Sequence, residues 1–306
     1  MSATVLFDVP GPKARARHRV IAVVGGVVIL GILAFALFKL GQKGNLAADK
    51  WTPFLTGSMW VDYLIPGLIN TLKAAVISIV LAGAFGLLFG MGRLSHLAPL
   101  RWVCTVVVEF FRSVPVLIMM IGAFSYYSYN NIFQAEVNPL AAVITGLTLY
   151  NGSVVAELLR SGVGSLPRGQ AEAGLAIGLT PGQTLRSIQL PQAITAMLPA
   201  LVGQLVVVLK DTALGQIITY DELLNNYQRI GSNWSNIVPA MIVIATIFIT
   251  INYSLTTLAG AVERRLRSRG RPTIAPGAGP GGVGPVAADA VDEVRHHADE
   301  EALRQH

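Results

Sequence analysis

Apolar residues in this chain come in long runs rather than in stripes. Val20–Phe38, Ala74–Gly92, Val114–Phe133, Val137–Ala156, Pro191–Leu209 and Asn236–Val262 each carry no Asp, Glu, Lys or Arg. A helix of about 19 residues or more is long enough to cross the hydrocarbon core of a bilayer. The pattern predicts an all-α, polytopic membrane helix bundle of about six transmembrane helices, with Pro199 interrupting the fifth. Within the second run, Gly83, Gly86, Gly90 and Gly92 are spaced so that several share a face, which lets helices approach closely.

One stretch breaks the pattern. "GQAEAGLAIGLTPGQTLRSIQLPQA", from Gly169 to Ala193, is polar and punctuated by Gly and Pro. Pro167 suits the first turn of a helix, and Gly178 suits its end. Thr180, Pro181 and Gln183 then form a capping-box pattern, with Thr180 as N-cap and Gln183 at the third helical position. The second helix is expected to reach Leu190, with Pro191 turning the chain into the next apolar run. A loop that only joins spans needs far fewer residues. Such capping predicts a rigid helical hairpin over 167–190.

The ends differ from the middle. Residues 1–19 are basic and turn-rich, expected as a tail that is disordered or lies on the lipid surface. Residues 20–40 read as an uncleaved, peripheral transmembrane helix, because the apolar run exceeds a signal-peptide core and no small-x-small cleavage site follows. Residues 263–306 read as a Pro/Gly-rich disordered tail. The adjacent His296 and His297 point to different helix faces, which argues against a metal site.

Composition agrees with a membrane protein. Of 306 residues, 53% are hydrophobic and 13% charged, against about a quarter charged in a soluble domain. The net charge of +6 is placed as a topology signal rather than a nucleic-acid surface. Lys and Arg gather at Lys13–Arg19, Arg93 and Arg101, Arg160–Arg186 and Arg264–Arg271, while the alternate loops are balanced or acidic. By the positive-inside rule both termini and the hairpin are cytoplasmic. The single cysteine, Cys104, excludes a disulfide framework and reads as a small buried hydrophobe.

Glu172-Ala173-Gly174, then Gly178, then Ile188, Leu190 and Pro191 reproduce the spacing of the EAA signature. On these residues the chain resembles the permeases of bacterial ABC importers. "LINTLKAAVISIVLAGAFG", "VEFFRSVPVLI", "AELLRSGVGSLPRGQAEAG" and "LPQAITAMLPALVGQLVVVLKDTALGQII" are similar to the subfamily that imports polar amino acids. So are "DELL" and "VERRLR", and the resemblance covers about Ile65 to Arg267. It implies a type I importer permease domain over 64–262 in the bacterial cytoplasmic membrane. The nearest likeness is to glutamate-type uptake, so the implied substrate is glutamate or glutamine, moved by alternating access. The implied partners are ABC ATPase subunits, a second permease of the same fold, an extracytoplasmic amino-acid-binding protein and the lipid membrane, with no nucleic acid. ATP and Mg belong to the ATPase, and no cofactor is expected on this chain. The implied coupling residues are Glu172, Ala173, Gly174, Gly178 and Thr180. Gly174 stands where the signature has alanine, a change expected to loosen the first helix by up to about 1 kcal/mol.

Polar groups within the apolar runs are the remaining candidates. Lys210 and Asp211 read equally as pathway residues or as a structural ion pair. Glu109 with Arg112, and Glu157 with Arg160, are spaced to pair on helix faces, and Glu157 is also placed to face a central cavity. Asn70, Thr71 and Asn151 could hydrogen-bond an amino-acid ligand or a neighbouring helix. The chain carries no phosphate loop, since "GAGPGGVGP" lacks the lysine, and no catalytic constellation. An ion-gradient-driven secondary transporter is the alternative function. It leaves the capped hairpin unexplained and would need repeated halves with paired broken helices, which the sequence lacks.

Overall fold

The computed structural model describes residues 11–269. Expectations that rest on residues 1–10 or 270–306, including the Pro/Gly-rich stretch and the His pair, fall outside the described residues.

Helix α1 (Pro12–Gln42) starts earlier than expected, with proline in its first turn. Lys13, Arg15, Arg17 and Arg19 therefore ride on helix rather than on a disordered tail. Its large apolar side chains from Val20 to Phe38 are 54% to 66% exposed. A helix apolar all round, with no covered face, is suited to lipid on every side.

Short helical turns lead to α2 (Ile65–Arg93), followed by α3 (Ala98–Ser113) and α4 (Val116–Tyr129). The run Val114–Phe133 was expected as one span. Instead α3 and α4 meet at 98° across Val114 and Pro115. Val114 is extended at ψ 128°, because the residue before a proline is pushed out of the helical region. At 14 residues, α4 reaches about 21 Å, short of a full crossing. Among the described residues there are five helices long and apolar enough to span, or up to six if the bent pair counts as one.

Helix α5 (Asn138–Gly164) is the central post. It packs most extensively on α2, and also on α4, α3 and α8 (Leu190–Asp211). The α2–α5 contact works through absent side chains. A Cβ on Gly86 would collide with Val155, and one on Gly152 would lie 2.7 Å from Phe85. Gly92 gives the same close approach to Cys104 of α3, which is buried. A Cβ on Gly83 would meet nothing within 4 Å, so Gly83 takes no part in this contact.

Two apolar clusters hold the bundle. Ala74, Met120, Ala142, Val143, Leu147 and Val208 join α2, α4, α5 and α8. Phe54, Met59, Leu64, Leu223 and Ile230 pack with Ala240 and Ile244 of α10 (Ile237–Arg269), next to α9 (Asn226–Trp234). Helix α10 continues to Arg269, so residues 263–269 are helical where a disordered tail was expected. This stretch holds four arginines with one glutamate and one leucine, all residue types that sustain helix.

Candidate functional site

The hairpin between α5 and α8 is built as its residues dictate. Helix α6 (Gly169–Ala176) closes with a Schellman arrangement. The Leu179 N–H donates to Gly174 O at 3.1 Å and the Gly178 N–H to Leu175 O at 3.0 Å. Gly178 has φ +85°, a conformation that costs a side-chain-bearing residue. Helix α7 (Pro181–Thr184) then opens with a complete capping box. The Gln183 N–H donates to Thr180 Oγ1, and the Thr180 N–H to Gln183 Oε1 at 2.8 Å. Glu172, Ala173, Gly178 and Thr180 are exposed, as are Leu175 (49%) and Ile177 (76%). The hairpin thus presents apolar side chains beside a carboxylate, away from its own bundle.

Two expectations here need correction. Pro191 does not turn the chain. A π turn over Leu185–Gln189 leads straight into α8, and Pro181–Ile218 is one helical run of 38 residues. The wide turn accommodates the missing N–H and the ring, which would clash in a regular helix. Gly174 does not merely loosen α6. It is buried, and a Cβ there would lie 2.6 Å from Thr184 Cγ2 and 3.1 Å from Ile188 Cδ1. The glycine lets the two arms touch. Gly174→Ala is therefore expected to destabilise the hairpin by about 1–3 kcal/mol through overpacking, not to stabilise it by the roughly 1 kcal/mol of helix propensity. Limited proteolysis within 167–190 measures this, and slower cleavage of Gly174→Ala would contradict it.

At the hairpin end of the bundle an ionic cluster ties α2, α3 and α5. The pairs Glu109–Arg112 (3.3 Å) and Glu157–Arg160 (2.5 Å) form. The hub is Arg93, in the last turn of α2. Its Nη2 lies 3.0 Å from Glu109 Oε1 and its Nη1 2.8 Å from Glu157 Oε2. The Arg93 side chain is 6% exposed. Arg112 reaches Glu157 as well, at 3.3 Å. Glu157 therefore points into this cluster and not into a central cavity. In the sequence Arg93 reads only as a topology marker; nothing there shows that both carboxylates converge on it.

Farther along the bundle, Asn151 is fully buried on α5. Its Nδ2 donates to Leu147 O at 2.9 Å, and its Oδ1 accepts from Gln204 Nε2 of α8. Both line a cavity of about 300 Å3 whose other walls are apolar, among them Ile79, Leu87, Leu159 and Leu201. The only sequence signal for Gln204 is an amide in the middle of a long apolar run.

Asn70 and Thr71 do not join Asn151. They anchor the segment after α8 at the other end of the bundle. Asn70 Nδ2 donates to Asp221 O at 2.7 Å, and Thr71 Oγ1 accepts the Leu223 N–H at 3.1 Å. The Glu222 carboxylate is buried there, accepting the N–H groups of Leu224 (2.7 Å) and Asn225 (2.8 Å). Burial raises its pKa from 4.5 to about 7, against the lowering effect of those hydrogen bonds. Because the folded value is the higher one, its stabilising contribution is full below pH 4.5 and fades as pH rises through about 7. The purified protein is expected to lose about 3 kcal/mol between pH 4.5 and pH 8 from this group. Thermal melts across that range check it, and a Glu222→Gln variant with the same pH slope would contradict it. Lys210, exposed, and Asp211, half-buried, end α8 with no salt bridge between them.

Residues 78–268 match the family described as binding-protein-dependent transport system inner membrane component. The chain belongs to that family. Among its relatives, the glutamate transport system permease protein GluD of Corynebacterium glutamicum is 49% identical over 229 residues, 75% of this chain and 84% of that protein. The probable glutamine ABC transporter permease protein GlnP of Bacillus subtilis is 35% identical over 66% of this chain and 93% of its own. The crystal structure of an amino acid ABC transporter with histidines superposes with TM-score 0.63 at 26% identity, covering 69% of this chain and 98% of that one. The inward-facing MetNI methionine ABC transporter shares the fold at TM-score 0.58 and 21% identity, over 69% of this chain and 99% of that one. This inner membrane component is thus a multi-pass membrane protein with the permease fold of ABC importers. Nothing in these matches supports the ion-gradient-driven alternative.

Proposed function

We propose that the chain is the membrane-spanning subunit of an ATP-driven importer for polar amino acids, with glutamate as the foremost substrate and glutamine next. The observation that carries this reading is the hairpin: rigidly capped at both arms, exposed, and offering Leu175 and Ile177 beside Glu172. An ATPase surface that covers those side chains can push the hairpin as a unit. Motion then enters the bundle through α5 and α8, the two helices it joins, which also carry Asn151 and Gln204. That amide pair is the polar point of the proposed translocation path. The relatives' roles in glutamate and glutamine transport support the substrate class.

In this reading the ATPase subunits bind ATP and Mg on the cytoplasmic side, where the positive-inside pattern puts the hairpin. ATP binding draws the ATPases together, and the bundle opens to the outside to receive an amino acid from an extracytoplasmic binding protein. A second permease of the same fold completes the path. Uptake of a panel of labelled amino acids in cells lacking the gene tests the substrate class. A specific defect in glutamate or glutamine uptake, restored by the gene, is expected. Unchanged uptake of every amino acid tested would overturn the assignment.

A further inference from the structure

At the end of the bundle opposite the hairpin lies a polar pocket of about 420 Å3. Its walls are Asn70 and Lys73 of α2, Glu136 just before α5, and Thr219, Tyr220 and Asp221 after α8. Lys73 is set 20 residues before Arg93, a rise of about 30 Å, so it falls one hydrocarbon thickness from the ionic cluster. That puts its ammonium at the opposite membrane interface, where Lys73 and Glu136 are both exposed. Among the described residues neither Lys73 nor Glu136 makes a salt bridge, although both line this pocket and carry opposite charge.

The rest of the pocket is fixed in place. Asp221 is neutralised by Arg229, at 2.8 and 3.0 Å. Tyr220 Oη donates to Asn70 O at 2.8 Å, and Asn70 returns a bond to the Asp221 carbonyl. Thr219 holds φ +62°, an uncommon and costly backbone for a β-branched residue. With Asp221 compensated, the other charged residues lining the pocket are one lysine and one glutamate. That is the complement of a zwitterion, and the volume suits a small polar ligand.

We propose that this pocket binds a free α-amino acid, with Lys73 taking the α-carboxylate and Glu136 the α-ammonium. It is a site separate from the Asn151–Gln204 cavity, where a released amino acid is first held by the permease. The inference rests on the amino-acid transport reading given above.

A thiol placed in the pocket wall reports occupancy locally. Leu140→Cys lines the pocket, and the natural Cys104 is buried. In the full transporter complex, in nanodiscs without binding protein, L-glutamate or L-glutamine is expected to slow modification of that thiol by a methanethiosulfonate reagent. Lys73→Met and Glu136→Gln, each combined with Leu140→Cys, should raise the half-protecting concentration tenfold or more. Glutarate, which lacks the ammonium, should protect at least tenfold more weakly than glutamate. No protection by either amino acid, when the same complex in proteoliposomes with binding protein takes up one of them, overturns the site and leaves the transport reading standing. Unchanged protection in both charge variants also overturns it; if the same variants then lose binding-protein association in a separate pull-down, the pocket is a docking patch. A complex that takes up no amino acid removes the transport reading and this site with it.

Discussion

Replacing Arg93 with methionine is expected to lower the stability of the purified protein by about 3–5 kcal/mol. Arg93 is almost fully covered and contacts both Glu109 and Glu157. Its removal leaves those carboxylates facing each other with Arg112 and Arg160 as the remaining counter-charges. Arg112→Met should cost far less, about 1 kcal/mol or below, because Arg112 is 38% exposed and water can replace it. Glu157→Gln added to Arg93→Met should recover part of the loss, since it removes one uncompensated charge. Thermal unfolding in detergent measures all three. Equal losses for Arg93→Met and Arg112→Met would contradict the hub role.

The ionic cluster also shows how far the sequence is legible. The two i,i+3 pairs follow from helical spacing alone, because their geometry is local. Arg93 lies 16 residues from Glu109 and reaches it only once the glycines of α2 have brought the helices together. That is tertiary information. The hairpin divides the same way. Its caps were readable at Thr180, Gln183 and Gly178, since capping is a contest among neighbours in sequence. The packing role of Gly174 was not, because it depends on where Thr184 comes to lie. Apolar runs located the spans well but misjudged Val114–Phe133, where hydropathy is blind to a bend set by Val114–Pro115. Polar residues were the least legible. Asn70, Thr71 and Asn151 look alike in sequence, yet two anchor a loop and one sits beside a cavity with Gln204.

The second large effect is expected in the hairpin. Gly178→Val forces a β-branched side chain to φ +85° and should break the Schellman closure of α6. Glu172→Lys reverses the charge on the exposed face. Both variants should insert into the membrane normally, because the spanning helices are untouched. Both should reduce substrate uptake tenfold or more, with weaker ATPase association or hydrolysis no longer tied to uptake. Thr180→Ala should be milder, since losing an N-cap costs about 1 kcal/mol and a docked partner would help to hold the helix. A Thr180→Ala defect as severe as that of Gly178→Val would show that the cap, rather than the exposed face, governs transmission.

Through residues 167–190, this chain is expected to turn ATPase motion into amino-acid movement. The most direct test is binding-protein-stimulated ATP hydrolysis, measured together with labelled glutamate uptake, in proteoliposomes holding the complete complex. The wild-type complex should show stimulated hydrolysis and uptake in step, while the Gly178→Val complex keeps its membrane insertion and loses that link. Stimulated hydrolysis and uptake both at wild-type level in the Gly178→Val and Glu172→Lys complexes would contradict this coupling role of the hairpin.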